Sequence, residues 1–388
     1  MKIAVILANY NHAAFITQAF EGVLSQTYQN WRLWVVDDGS TDESWSLIER
    51  YRDRDSRIII ERFPQNQGIF PAVRRCLELC DGDLLCPIAS DDYLSNSRYF
   101  ELAVAALQHF PQAAAAYAPA AIVDANDGRQ FGYMGTYIPA RRGHAGEKYD
   151  AAGAPMQFIP PQEALAGFVS HRMFITGCAV IWRRALLGEL DFCNETLGPQ
   201  SDYFFYHALA ALHGAVFIDT PVAVGRVSET TYSGSASDDD YFRRQALVEK
   251  RFRELPLPYP TDERLWAQFR TSTIASRTAE FHQRRLFETL REYCDSVPPA
   301  ELQMFPSEPA AFVGRLQEES ARLESRLNDQ IERARQVFDA VAGPIAPLPA
   351  TPRSPPRPWL KPVAEMFLTL GKVLGKAFTD FGNRLWEA

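Results

Sequence analysis

Leu33-Trp34-Val35-Val36-Asp37-Asp38-Gly39-Ser40-Thr41-Asp42 is an apolar run that stops abruptly at acidic and turn-forming residues. Four consecutive apolar residues without polar alternation fit a strand buried on both faces, as in parallel sheets. Ser40 or Thr41 is placed to cap a following helix, which runs to about Arg52 with Asp42 and Glu43 in its first turn. The same pattern recurs on either side. Ile3–Ala8 is a second apolar run, ending in Asn9-Tyr10-Asn11, and 13–26 has helical spacing at Phe15, Ala19 and Val23. Ile58–Glu61 reads as a strand, 69–80 as a helix, and Asp83–Ile88 as a fourth strand ending at Ala89-Ser90-Asp91-Asp92. Strands alternating with helices predict an α/β fold with a doubly wound sheet. Such sheets bind ligands beyond the carboxyl ends of their strands. Asn9 and Tyr10, Asp37 and Asp38, and Asp91 and Asp92 all follow strands and so converge on one edge.

The rest of the chain divides by composition. Residues 125–160 are rich in Gly, Ala and Pro and read as a long loop carrying Arg141-Arg142-Gly143-His144. Cys178–Trp182 is an apolar run, 203–213 is helical, and Ala215–Ile218 and Val222–Gly225 read as short strands. From about 236 to 342 the pattern is helical, and 312–342 places Leu316, Leu323, Leu327, Ile331, Ala334, Phe338 and Val341 on one stripe. Seven prolines between 343 and 358 suit a semi-rigid linker. Residues 359–388 form a final amphipathic helix. The domain organisation is therefore 1–235, a helical region 236–342, the linker and the tail helix.

The 388 residues are 46% hydrophobic and 23% charged, with a net charge of -8. That composition is globular, and the acidic balance argues against non-specific nucleic-acid binding, which needs a basic face. Cys76, Cys80, Cys86, Cys178, Cys193 and Cys294 form no CxxC pair and read as buried small side chains in a reducing compartment. The first apolar run is too short for a signal peptide, and no stretch approaches a membrane span. A cytoplasmic protein is expected, peripheral on the inner membrane face if its tail binds there.

Chemistry on a nucleotide-activated sugar needs a grip on base and ribose, a hard cation on one or two carboxylates to neutralise the diphosphate, and a base for the acceptor hydroxyl. Asp91-Asp92 suits the cation, since adjacent carboxylates repel unless a cation or strong donors relieve them. Asp37 suits a base imide or a ribose hydroxyl.

Ala8-Asn9-Tyr10-Asn11, Val35–Asp42, Asn66-Gln67-Gly68 and Ser90-Asp91-Asp92, in this order and spacing, resemble the inverting glycosyltransferase family 2 with the GT-A fold, over about residues 1–232. The resemblance implies a GT-A-type doubly wound mixed sheet. It implies nucleoside contacts from Asn9, Tyr10, Asp37 and Asp38, with Asn66 and Arg74 as further nucleotide-binding candidates. Asp91 and Asp92 would hold ribose, diphosphate and Mn²⁺ or Mg²⁺, with a UDP-sugar as donor. The family's late catalytic Asp falls in Gly198-Pro199-Gln200-Ser201-Asp202-Tyr203-Phe204-Phe205-Tyr206-His207, making Asp202 the candidate base. A carboxylate beside this aromatic run is placed to have a raised pKa. Three positions depart from the family pattern. Ala89 stands where an Asp is frequent, Val73-Arg74 replaces Arg-Asn, and Arg226-Val227-Ser228 replaces Arg-x-His, leaving His171, His207 or His213 to compensate.

The expected acceptor is a hydroxyl of a glycan, a lipid-linked glycan or a protein, in cell-surface glycan synthesis. A sugar nucleotidyltransferase is a competing reading, but Asn9-Tyr10-Asn11-His12 lacks the glycines of a phosphate loop. A degenerate domain that binds nucleotide sugar as a scaffold is the other. The tail helix, with Trp359, Phe367, Phe378, Phe381 and Trp386 among basic residues, suits a membrane interface, self-docking or a second subunit.

Overall fold

The computed structural model describes residues 1–137, 148–151, 154–227, 237–277 and 329–345. Two compact units divide the chain, Met1–Leu265 and Trp266–Ala388.

The first unit alternates strand and helix: β1 (Ile3–Asn9), α1 (Ile16–Leu24), β2 (Trp31–Asp37), α2 (Ser44–Arg54), β3 (Ile58–Arg62), α3 (Ile69–Leu79) and β4 (Leu84–Pro87). These strands are parallel, in register from Ile3 opposite Trp31 to Asn9 opposite Asp37, and Ile3 also faces Leu84. Each apolar run is buried on both faces, as a parallel strand between helical layers must be. The chain then adds β5 (Tyr93–Leu94), α4 (Tyr99–His109), β6 (Ala115–Tyr117), β7 (Ala120–Asp124), β8 (Gln130–Met134), β9 (Lys148–Ala151), β10 (Ala154–Ile159) and α5 (Pro161–Val169). It continues with β11 (Val180–Arg183), α6 (Ser201–His213), β12 (Ala215–Ile218), β13 (Ala223–Val227) and α7 (Asp238–Arg253).

The large sheet runs β3-β2-β1-β4-β11-β6-β12-β10-β9, and β11 enters antiparallel to both β4 and β6, which makes the sheet mixed. A smaller sheet runs β5-β13-β7-β8. Two apolar clusters cover the faces of the large sheet, one around Phe20, Tyr99 and Phe100, the other around Trp182, Phe205 and Tyr206.

Two local readings change. The stretch read as a loop over 125–160 holds β8, β9 and β10; β8 pairs with β7 and β10 with both β9 and β12, while residues 138–147 and 152–153 lie outside the described structure. Helix α2 starts at Ser44, and neither Ser40 nor Thr41 caps it. Asp42 accepts the Ser44 N–H at 2.9 Å, while Ser40 Oγ donates to Asp37 at 2.6 Å and accepts the Asn11 N–H. Gly39 has φ +69, and a Cβ there would sit 2.6 Å from the Gln65 backbone, so this turn admits only glycine.

The first unit includes α7, beyond the expected domain end at 235. In the second unit, 266–277 and 329–342 are helical. Arg270 donates to Asp339 and to the Gly343 carbonyl, both at 2.7 Å, and Ala334 and Phe338 of the expected stripe are buried. Leu316, Leu323 and Leu327 of the stripe, the linker from residue 346 and the tail helix lie outside the described residues. No helix among the described residues is long and apolar enough to cross a membrane.

Candidate active site

The strand order reverses between β1 and β4, the one place where consecutive parallel strands depart to opposite sides. A cavity of ≈ 420 Å³ opens there, at the carboxyl ends of these two strands. Ala8 and Ala89 line one wall, Ile69 and Val73 of α3 another, and Thr176–Cys178 with Gly198, Pro199, Ser201 and Asp202 close it.

Asp91, Asp92 and Asp202 line this single cavity although 110 residues separate Asp92 from Asp202 in sequence. Two consecutive residues, Gly177 and Cys178, adjoin the Asp202 and Asp92 carboxylates. A Cβ on Gly177 would stand 3.0 Å from Asp202 Oδ2, while the next residue, Cys178, interacts with Asp92. Gly177 therefore leaves room for the Asp202 carboxylate.

Electrostatics distinguish the carboxylates. Burial pushes Asp202 up to about 6, although its own helix N-terminus and the Tyr203 N–H, 2.7 Å from Oδ1, favour the charged form. Asp92 rises to about 7 through burial first and the adjacent Asp91 charge second, against the Arg226 N–H at 2.8 Å from Oδ1. A pair of oxygen donors with mutual repulsion fits a hard divalent cation. Among the described residues no group of three or more His, Cys, Asp or Glu could hold a metal, so other ligands must complete such a shell.

The remaining candidates distribute as follows. Asn9 and Asp37 are buried, and the Asn9 amide donates to Asp37 Oδ1 at 2.8 Å and to Ser40 at 3.1 Å. Asp37 also accepts the Ser40 N–H and pairs with Arg62 at 3.3 Å, its register partner on β3. Asn9 Oδ1 has no hydrogen-bond partner. Asp38 accepts the Gln67 and Gly68 N–H groups at 2.7 and 2.8 Å, which fixes the entry to α3. None of these three lines the cavity, and neither do the exposed Tyr10 and Asn66. Arg74 is also absent from the lining. Its guanidinium donates to Glu195 and to the Cys193 carbonyl, tying α3 to the segment before α6.

Arg226 is the residue that sequence reading noticed only as part of a departure. Pairing of β13 with β5 and β7 brings it to the acid pair. Its guanidinium donates to the Asp91 carbonyl and to Gln18, over the rings of Phe15 and Tyr93 at 4.9 and 5.0 Å. Tyr206, one helical turn after Asp202, also lines the cavity; the i,i+4 spacing carried that signal. His12 joins the ends of β1 and β4 through Ser90 Oγ at 2.7 Å.

The histidines offered in compensation have other partners. The His207 ring accepts the Ile175 N–H and contacts the Tyr203 carbonyl, and burial lowers its pKa to about 4. His213 pairs with Glu189 at 2.7 Å. Ser228 lies outside the described residues.

The fold is a doubly wound mixed sheet with an acid pair at its switch point and a third carboxylate of raised pKa in the same cavity. Residues 4–186 match the family model Glycosyl transferase family 2, so the chain carries a domain of that family. It is 36% identical over 96 residues to an uncharacterized glycosyltransferase of Haemophilus influenzae, covering 25% of this chain and 38% of that protein. It is 34% identical over 103 residues to WfaP of Escherichia coli, the UDP-Glc:alpha-D-GlcNAc-diphosphoundecaprenol beta-1,3-glucosyltransferase, covering 25% of this chain and 40% of that protein. The match thus spans about two fifths of these relatives' length. Among solved structures, Staphylococcus aureus TarS 1-349 superposes with a TM-score of 0.52 at 17% identity, over 88% of this chain and 89% of that one, a likeness of fold.

Proposed function

We propose that the protein is an inverting glycosyltransferase that moves a sugar from a nucleoside-diphosphate donor to a hydroxyl of a glycan or lipid-linked acceptor in cell-surface polysaccharide synthesis. The observation that carries this reading is the shared cavity, with Asp91 and Asp92 on one side and Asp202, its pKa raised to about 6, on the other. A group titrating near 6 is largely ionised at neutral pH yet more basic than an ordinary carboxylate, which suits a general base. The relative WfaP supports a UDP-sugar donor and a lipid-linked acceptor by its name.

In this reading Asp202 takes the proton from the acceptor hydroxyl. That oxygen attacks the anomeric carbon from the face opposite the nucleoside diphosphate, and the bond from that carbon to the diphosphate breaks. Asp91 and Asp92 would hold Mn²⁺ or Mg²⁺, which when bound neutralises the diphosphate. The Arg226 guanidinium adds positive charge at the same end of the cavity. Asn9 and Ser40 hold the Asp37 carboxylate toward the nucleoside end of the strands. Asp38 sets the loop that enters α3.

Incubation with a panel of UDP- and GDP-sugars and glycan acceptors, with the product anomer read by NMR, tests the reading. Inversion at the anomeric carbon is expected, and a retained configuration overturns the mechanism.

A further inference from the structure

Asp202 is the second residue of α6, so its carboxylate goes wherever the start of that helix is set. The start is set by the segment from Phe192 to Ser201, much of which lines the cavity. On its near side the segment is held by its own Ser201, which is buried. Ser201 Oγ donates to the Phe192 carbonyl and accepts the Asn194 N–H, both at 2.7 Å.

The far side is held by a helix that lies 36 residues downstream of Asp202. Gly198 has φ +53, in the left-handed region, and the place where a Cβ would stand is filled by the Arg244 guanidinium of α7. Arg244 Nη1 donates to the Leu197 carbonyl at 3.5 Å, and its Nε is fixed by Asp240 at 2.7 Å, one turn back. The next residue, Gln245, is 4% exposed and donates to Gln200 Oε1 at 3.2 Å. Helix α7 is itself firmly seated. Ser237 caps it, three aspartates occupy its first turn, and Phe252 packs on Phe168 and Phe204 with centroids 4.6 and 5.1 Å apart.

We infer that α7 is a positioning element for the reaction: Arg244 and Gln245 hold the Leu197–Gln200 turn, and through it the Asp202 carboxylate, in the cavity. This rests on the reading of Asp202 as the base. Both residues lie beyond the segment matched by the family model, and neither is itself part of the cavity lining: Arg244 acts from behind Gly198, which is. Their effect therefore belongs to the chemical step and not to donor binding. A displacement of about 1 Å at a reacting group costs on the order of 100-fold in rate.

The test uses the full chain with Arg244→Ala, Arg244→Lys, Gln245→Ala and Gly198→Ala. Turnover is read on the UDP- or GDP-sugar that the wild-type chain consumes, and binding is read calorimetrically with UDP. Arg244→Ala is expected to lower kcat by 10- to 100-fold, with the donor KM and the UDP Kd within about threefold of wild type. The acid limb of its kcat profile should move below the wild-type midpoint, because water enters behind the turn. Arg244→Lys should recover part of kcat by keeping the Asp240 pair. Gly198→Ala should reproduce the loss from the other partner, and Gln245→Ala a smaller one. These two decide the matter if Arg244→Ala does not fold. Wild-type kcat and acid limb in the folded variants overturn the inference, as does a loss confined to KM. Asp202→Asn separates the two claims. If it retains turnover, the base reading fails. If it is inactive while the α7 variants turn over normally, only the positioning role fails.

Discussion

Replacing Asp202 with Asn is expected to raise stability while removing transfer. The carboxyl goes from 3.8 to about 6 in the folded chain, entirely through burial opposed by two backbone N–H groups. Two pH units correspond to about 3 kcal/mol of differential interaction, and solvent reaching the partly exposed carboxylate lowers this to about 1–3 kcal/mol. The sign follows from proton uptake. Between pH 4 and 6 the native state holds a proton at Asp202 that the unfolded chain has released, so stability falls as pH rises through this window. The penalty is complete above about pH 6 and absent below about pH 4. Asparagine carries no charge and keeps an oxygen to accept the Tyr203 N–H, so it removes the penalty and leaves the hydrogen bond. Urea unfolding of both proteins at pH 4, 5, 6 and 7.5 should show no gain at pH 4 and a full gain by pH 7.5. A gain independent of pH, or a loss at pH 7.5, refutes the reasoning, because either result means that Asp202 is not destabilised by its burial. Enzyme function commonly exacts such a stability cost.

Further outcomes follow from the same geometry. In the wild-type chain kcat should rise tenfold per pH unit below about 6 and level above it; a flat profile from pH 5 to 8 removes the base role from a group titrating there. Gly177→Ala places a Cβ 3.0 Å from Asp202 Oδ2 and should lower kcat about tenfold or more with UDP affinity held, measured by steady-state kinetics and calorimetry. Arg226→Ala should weaken UDP binding by tenfold or more, and unchanged calorimetric affinity would exclude its part in holding the diphosphate. Chelation should abolish transfer, with recovery on adding Mn²⁺ or Mg²⁺, and Asp92→Asn should prevent that recovery.

The first four strands were legible because parallel strands buried on both faces leave unbroken apolar runs, and each run ends at the residues that turn the chain. Of the small sheet only β13 was legible, as the short run Val222–Gly225. β7 and β8 pair with each other, and β7 pairs with β13 about 100 residues away, so no local pattern announces them. Asp202 was found by resemblance of its segment to a family and not by composition. Arg226 reached the acid pair only through the β13 pairings.

The sequence by itself determined that Asn9, Asp37 and Asp91-Asp92 stand at strand ends on one edge, since a strand's length and its terminating turn are local properties. Only the tertiary structure decided that Asn9 and Asp37 bond to each other while Asp91 and Asp92 share a cavity with Asp202. It also decided that α7 lies behind the turn that carries Asp202. Register, burial and the displaced pKa of a carboxylate depend on atoms brought together from distant parts of the chain, and a linear pattern contains none of those contacts.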